Sequence, residues 1–460
     1  MITADTERTM AVPERWSDGT ASIGPERMSF KKMELSLFQL RNIVACVRWM
    51  GACFDHGAAH RRTPWPWIVI SVLLFVVSLS GVSLPHARCE DHTTLQPMPL
   101  RNFDDTSLTR SFNEGIRYLV ESQREDGGWG GPQWTGGVDS DPVPGAFRSF
   151  DIAVTAMCLE ALLAASDQQT SVQKCRQRAL DFLLQRSGEI KRAGPGDLPN
   201  VWAHCYCIQT FTRLYLITES SSVRDQLVKA IRQHMNGLKR WQSIHGGWFY
   251  YGSGMSQPIN PSCSFVNAAV LVALARAKKI GLHADATMVK RAIEATQMMR
   301  KPDSSFMYTM RIPADKSRAM SLINRPSGSL GRSQAGNIAL RLWGDANITD
   351  HVLKEWLDRL VTRHGWLDMG RKKPIPHESH AAVAGYFYYF GVYYGALCVS
   401  QLPEDERPLY QKHLAAKIIQ RQEQDGSWFD YPLYSYHKPY GTAFALLTLE
   451  QCQQKRAQGQ

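Results

Sequence analysis

The chain has 460 residues, 44% of them hydrophobic and 21% charged, with a formal net charge of +11. That is ample apolar material for one large buried core. Residues 1–88 hold ten Lys/Arg against seven Asp/Glu, and the remaining excess is scattered with no basic block beside aromatics, so no nucleic-acid partner is expected.

Residues 1–66 read as an N-terminal extension, disordered or the product of a misassigned start, with Met50 as an alternative start. Trp67 to Leu84 is then a continuous apolar stretch between Pro66 and Pro85. Its length makes residues 67–85 a signal peptide h-region or a single transmembrane helix. Arg61 and Arg62 precede it and Glu90 and Asp91 follow it, so the positive-inside rule sends everything downstream across the membrane. The expected location is periplasmic, extracellular or membrane-anchored. Ten cysteines are present without a Cys-x-x-Cys pair, so neither a zinc ribbon nor a disulfide framework is expected.

From about residue 100 to 455 the chain repeats itself. Gln123-Arg124-Glu125-Asp126-Gly127-Gly128-Trp129 returns as Gln242 to Trp248 and again as Gln422 to Trp428, each Gln-x3-Gly-x-Trp. Charged helical patterns precede the copies (Gly115–Ser122, Val228–Trp241, Leu414–Arg421). Apolar helices rich in small residues follow them (Thr155–Ala164, Phe265–Ala275, Thr442–Leu449). The spacing predicts a unit of outer helix, tight turn and buried inner helix, with Gly at a positive φ and Trp covering the turn. Degenerate copies fill the gaps. Ala179–Gln185 pairs with Trp202–Leu216. Met288–Met299 precedes an Asp303-Ser304-Ser305-Phe306 turn and an inner helix Ser333–Trp343. Val352–Thr362 precedes His364-Gly365-Trp366 and an inner helix His380–Ser400. Six helix pairs result, in an all-α fold. An open helical solenoid is the alternative.

The Gln-x3-Gly-x-Trp repeat resembles that of squalene and terpenoid cyclases and of protein prenyltransferase β subunits. The resemblance implies a single (α/α)6 toroid of six inner and outer helix pairs around a central cavity, where a full cyclase would carry two toroids. It also points to chemistry at the starts of the inner helices. Cyclases of the squalene type protonate an alkene with Asp-x-Asp-Asp followed by Thr-Ala. The matching stretch Asp151-Ile152-Ala153-Val154-Thr155-Ala156 keeps the first acid and has Ala153 and Val154 in place of the other two. Asp151 is therefore read as a helix N-cap, with a catalytic role as the alternative. Asp139 and Asp141 stand in the loop before it. The prenyltransferase zinc ligands are not reproduced. Pro261-Ser262-Cys263 lacks the Asp, and Tyr436-His437 falls three repeats away.

A different cluster stands out. His377 and His380 are expected on one face at the start of the fifth inner helix, and His437 opens the sixth. Together they could hold a metal ion at an open three-ligand site, or His380 or His437 could work as acid or base. Caps at a wet rim are the competing reading. The aromatic run Tyr386 to Tyr394 supplies candidate ligand-binding residues in Tyr386, Tyr389 and Tyr393, with Tyr436 and Tyr440 at the rim. Such rings suit an isoprenoid chain or a stacked sugar. No cofactor is specified.

Three functions are open at this point: an enzyme acting on an isoprenoid or other lipid, a non-catalytic exported module binding glycan, lipid or peptide, and a polysaccharide-cleaving enzyme on the same barrel. Membrane association is expected from residues 67–85. A reporter fused after Cys452 should be active only outside the cytoplasm; cytoplasmic activity of that fusion would refute export.

Overall fold

The computed structural model describes residues 104–137, 144–166, 169–190, 200–250, 261–310 and 322–453. The extension, the apolar stretch at 67–85, Asp139 and Asp141 lie outside them. Among the described residues no helix is long and apolar enough to cross a membrane.

Among the described residues twelve long helices alternate between two kinds. The odd-numbered ones are α1 (Asp105–Glu121), α3 (Thr170–Arg186), α5 (Ser221–Trp241), α7 (Ala286–Met299), α9 (Asp350–Thr362) and α11 (Arg407–Ile419). They bury one stripe only, as α5 does with Leu227, Ile231, Met235 and Leu238. Several start on a side-chain cap: Asp104, Ser220, Asp285 and Thr349 each accept a backbone N–H three residues on. The even-numbered helices are α2 (Pro144–Leu162), α4 (Asn200–Ile217), α6 (Ser264–Lys279), α8 (Pro326–Leu342), α10 (Phe387–Val399) and α12 (His437–Gln453). These are buried nearly all round, α10 along its whole length, as their uninterrupted apolar and small residues require. Strand structure is limited to two isolated bridges among the described residues.

The even helices pack in sequence, α2 on α4, α6, α8, α10 and α12, and α12 packs back on α2. The ring is closed, and the odd helices surround it. The fold is an all-α toroid of six inner and outer pairs. Glycine sets the closest approach in the inner ring: a Cβ on Gly391 of α10 would lie 2.5 Å from the Cα of Gly331 on α8.

The repeated motif is one device used three times. In the first copy the Trp129 indole N–H donates to Leu119 O at 2.8 Å, on the outer helix just ended, and the Trp129 backbone N–H reaches Thr155 Oγ1 on the inner helix. The Gln123 amide donates to Gly127 O within the turn and to Cys175 O on the next outer helix, both at 2.9 Å. The second copy repeats this with Trp248 on Leu238 O and Asn267 Oδ1, and Gln242 on Gly246 O and Met288 O. The third copy uses Trp428 on Ile418 O and Thr442 Oγ1. Its Gln422 donates to Gly426 O and to Ser111 O on α1. The last motif therefore fastens the C-terminal pair to the first helix. Gly127, Gly246 and Gly426 hold φ of 90°, 90° and 88°, and a Cβ on any of them would come within 2.6 Å of a carbonyl oxygen on the neighbouring outer helix.

The degenerate turn at Phe306 follows the same plan, with the Phe306 N–H on Ser333 Oγ at 3.2 Å. Ser304 occupies the glycine position at φ 56°. Two expectations need correction. The Gly365–Trp366 segment is a four-residue helical turn, Gly365–Asp368, without the motif geometry. The fifth inner helix begins at Phe387, seven residues after His380. Ala382, inside the expected span, holds a φ of 53°, which no right-handed helix contains.

These turns give a paired test. Gly246→Ala should destabilise by about 2 kcal/mol or more, since it combines a clash with an unfavourable φ. Ser304→Gly should stabilise by about 0.5–1 kcal/mol, because only the backbone strain is relieved. Urea midpoints at unchanged m-value measure both, and a Ser304→Gly variant weaker than the parent would count against the shared turn geometry.

Candidate functional site

Five of the six inner helices, α8 excepted, line a central cavity of about 390 Å³. Helix α2 supplies Phe150, Ala153, Val154 and Met157, α4 supplies Trp202 and Tyr206, and α6 supplies Phe265. Helix α10 supplies Phe387 and Phe390, and α12 supplies Tyr440 and Phe444. Connections add Tyr250, Tyr308, Pro376, His377, Tyr386, Tyr431 and Leu433. Twelve of the eighteen lining residues are Phe, Tyr or Trp, and none is Asp, Glu, Lys or Arg. The rings meet edge to face: Phe265 sits 5.0 Å from Phe387 and 6.2 Å from Phe390, both near perpendicular. Such pairs fix ring orientation as well as bury area.

The rim carries a short polar chain. Tyr308 Oη lies 3.1 Å from Tyr386 Oη, which lies 3.3 Å from His377 Nε2. His377 Nδ1 faces Ala382 O at 2.8 Å. A carbonyl only accepts, so Nδ1 carries the proton and Nε2 accepts from Tyr386. Burial holds His377 below the usual histidine range. Behind Tyr308 stands Arg332 of α8, 1% exposed, with its guanidinium 5.5 Å from the Tyr308 ring. It donates to the carbonyls of Phe306, Gly328 and Ile323 and to Asn324 Oδ1.

The far end is closed by charge. Arg276 of α6 pairs with Glu160 of α2 and donates to Tyr393 Oη of α10 at 2.7 Å. Arg213 of α4 holds Glu450 of α12 through both guanidinium ends. Five inner helices are thereby joined toward their C-terminal ends.

One acid beside the cavity has no counterpart in the sequence reading. Asp430, two residues past the motif Trp428, is fully buried. Its Oδ1 accepts from the Tyr440 hydroxyl and its Oδ2 from the Tyr389 N–H at 3.0 Å. Burial pushes its carboxyl up to about 7, against the opposing pull of those two hydrogen bonds. The first and second motifs have Gly131 and Tyr250 at the same offset, so an acid there was visible, but its burial was not. Elsewhere, His204 and His234 share a hydrogen bond between their Nδ1 atoms at 3.0 Å. Burial holds both imidazoles neutral, with His204 down to about 4. They join α4 to α5, away from the cavity wall.

The sequence-predicted residues separate. Tyr386 and Tyr440 stand on the cavity wall, as does His377. Ala153 and Val154, which replace the cyclase acids, also line it. Tyr389 and Tyr393 do not: one N–H serves Asp430 and the other hydroxyl serves Arg276. A helix presents only one side to the cavity, and Phe387 and Phe390 take it. Tyr436 donates to Asp151 Oδ1 at 2.9 Å. Asp151 is no N-cap, because α2 begins at Pro144 and places it in the helix interior. There it also accepts from Arg124 of the first motif at 2.8 Å.

The metal expectation is corrected as well. Among the described residues no three His, Cys, Asp or Glu side chains converge to hold an ion. His380 is exposed on the irregular segment before α10. His377 is tied to Ala382 O, and His437 faces Tyr434 O at 2.6 Å with its ring against Phe429.

Asp430 makes a pH prediction. Its folded pKa, about 7, lies above its ordinary 3.8. The folded state therefore binds the proton more tightly, and the stability this confers is complete at low pH and lost as pH rises through that window. Asp430→Asn should gain stability over wild type by up to roughly 1.4 kcal/mol per pH unit across the window, then hold a constant gain above it. Urea titrations at a series of pH values measure this, and a gain independent of pH would refute the buried neutral acid.

No family model matches the sequence, and no curated protein matches it. Solved structures of similar shape include an inactive variant of an α-1,6-mannanase from Salegentibacter, at 10% identity and TM-score 0.49 over 75% of this chain and 98% of that one. A type II terpene cyclase from Scytonema matches at 13% identity and TM-score 0.42 over 75% and 97%. Cellobiose 2-epimerase from Spirochaeta thermophila matches at 12% identity and TM-score 0.49 over 76% and 98%.

Proposed function

We propose that this toroid binds an isoprenoid or comparable apolar lipid in its central cavity, and that residues 67–85 deliver it across the membrane. The observation that carries the reading is the composition of the cavity wall: a near-continuous surface of aromatic and aliphatic side chains without a charged residue among the described lining. Its volume falls within the range of small-molecule sites, about 300–1,000 Å³. An apolar chain loses little by entering it, whereas each buried sugar hydroxyl would need a partner. Glycoside cleavage also calls for a facing pair of carboxylates, and the described wall offers none. Protonation of an alkene in the squalene manner is not expected from Ala153 and Val154, whose side chains hold no proton to give.

The reading is tested by titrating the protein with farnesol while following tryptophan fluorescence, because Trp202 stands on the wall. A saturable change with an affinity on the order of micromolar is expected. Phe390→Asp should weaken binding at least tenfold, because it places a charge in the apolar wall. Saturable binding of an oligosaccharide at concentrations where farnesol has no effect would overturn the lipid reading.

A further inference from the structure

We propose, on the premise that the cavity holds an apolar lipid, that Phe444 of α12 is the stop against which the inner end of the bound chain rests, and that it limits the ligand to a chain about as long as farnesol. The wall is layered along the inner helices. Phe150 of α2 and Trp202 of α4 are half-buried, as are Tyr308, His377 and Tyr386 from the connections. Further along the helices the lining residues Met157, Tyr206, Phe390 and Phe444 are all buried. Tyr206 lies about one turn beyond Trp202, Phe390 beyond Phe387 and Phe444 beyond Tyr440. Exposure along the wall therefore falls toward the C-terminal ends of the inner helices.

The next turn along is charged. Glu160 stands three residues past Met157, and Tyr393 three past Phe390, spacings that share a helix face. Arg276 of α6 bridges the two, pairing with Glu160 and donating to Tyr393 Oη at 2.7 Å. The Glu160 side chain is 3% exposed. An apolar tail pushed between these groups would strand buried charge, so the floor does not yield to it.

Phe444 is the wall ring that rests on this floor. Its centroid lies 5.4 Å from that of Tyr393. It also meets Tyr206 at 6.0 Å and Phe390 at 6.1 Å, both edge to face, and Tyr440 at 6.4 Å. A ring held by several such pairs does not turn aside for a ligand without losing them. A smaller side chain at this position extends the cavity toward Tyr393, whereas truncation of Phe150 widens the shallow end and adds no depth. The volume agrees with a short chain: 390 Å³ lies near the lower end of the range for small-molecule sites, about 300–1,000 Å³.

The test uses geraniol, farnesol and geranylgeraniol, which share one alcohol head and have two, three and four isoprene units. Their affinities for the full chain are measured by tryptophan fluorescence. Each unit that enters the cavity buries more apolar surface, so farnesol should bind at least roughly tenfold more tightly than geraniol. Geranylgeraniol should gain no more than about twofold over farnesol, because its extra unit finds no further wall to cover. Phe444→Ala should remove this break, with geranylgeraniol binding at least roughly tenfold more tightly than farnesol. Phe444→Leu excises less of the packing and should act in the same direction by a smaller factor, and urea unfolding reports that each variant is folded. Phe150→Ala should weaken farnesol and geranylgeraniol alike and leave the break in place. Affinity that keeps rising from farnesol to geranylgeraniol in the parent, or a break that stays put in the folded Phe444 variants, overturns the proposal while leaving the lipid reading in place. Binding of none of the three alcohols overturns both.

Discussion

The closure of this toroid rests on one hydrogen-bonded junction used at three of its six seams, the Gln side chain that reaches from its own turn to the backbone of the next outer helix. A helix end leaves carbonyls without partners, and a ring of twelve helices has many ends. The motif satisfies several at once: the indole takes the last turn of the outer helix, the backbone N–H of the Trp takes a side chain of the inner helix, and the Gln amide ties the turn to its neighbour. Each copy therefore fixes the angle between two successive units as well as the shape of its own turn. The glycine follows from this closeness, because the neighbouring carbonyl occupies the space a Cβ would need.

The division of labour within the inner helices follows from the ring. Their C-terminal ends are drawn together by Arg276, Glu160, Arg213 and Glu450, buried or half-buried charges that must be mutually matched to be tolerated. Toward their N-terminal ends, α2, α4, α6, α10 and α12 each place an aromatic ring on the cavity wall. The result is a cavity with an ionic floor and an aromatic wall. The two acids nearest the wall are treated differently: Asp151 is held by Arg124 and Tyr436, and Asp430 is held by neutral donors alone. The first arrangement anchors a turn. The second leaves a protonatable group beside an apolar space, and buried groups of that kind concentrate at functional sites.

The architecture was legible because its signals are local. A Gln, a Gly and a Trp at fixed spacing predict a turn, and the turn predicts the helices on either side; even the Phe306 copy could be placed. Helix starts were less legible. Asp151 looked like a cap because it precedes an apolar run, yet α2 reaches back to Pro144. His377 and His380 looked like one helix face, yet His377 sits at φ 65° and Ala382 at φ 53°, so no helix runs through that segment. The site was legible in chemistry but not in arrangement. An aromatic wall was expected, and the particular rings that form it depend on the rotation of α10, which nine consecutive residues from Tyr386 to Tyr394, nearly all aromatic, leave unspecified. Asp430 could not be singled out, since burial is decided by the helices that pack over it.

The bond from Gln422 to Ser111 makes the seam between the last pair and the first chemically the same as two of the seams inside the chain. Helix α12 packs on α1 as α2 packs on α3. Nothing in the ring marks where the polypeptide must be cut. A circular permutant that opens before α5, with residues 453 and 105 joined by a linker about as long as the native connection between α2 and α3, meets the same set of contacts in a different order. What changes is the order of assembly, because the pair synthesised last in the native chain is followed by two others in the permutant.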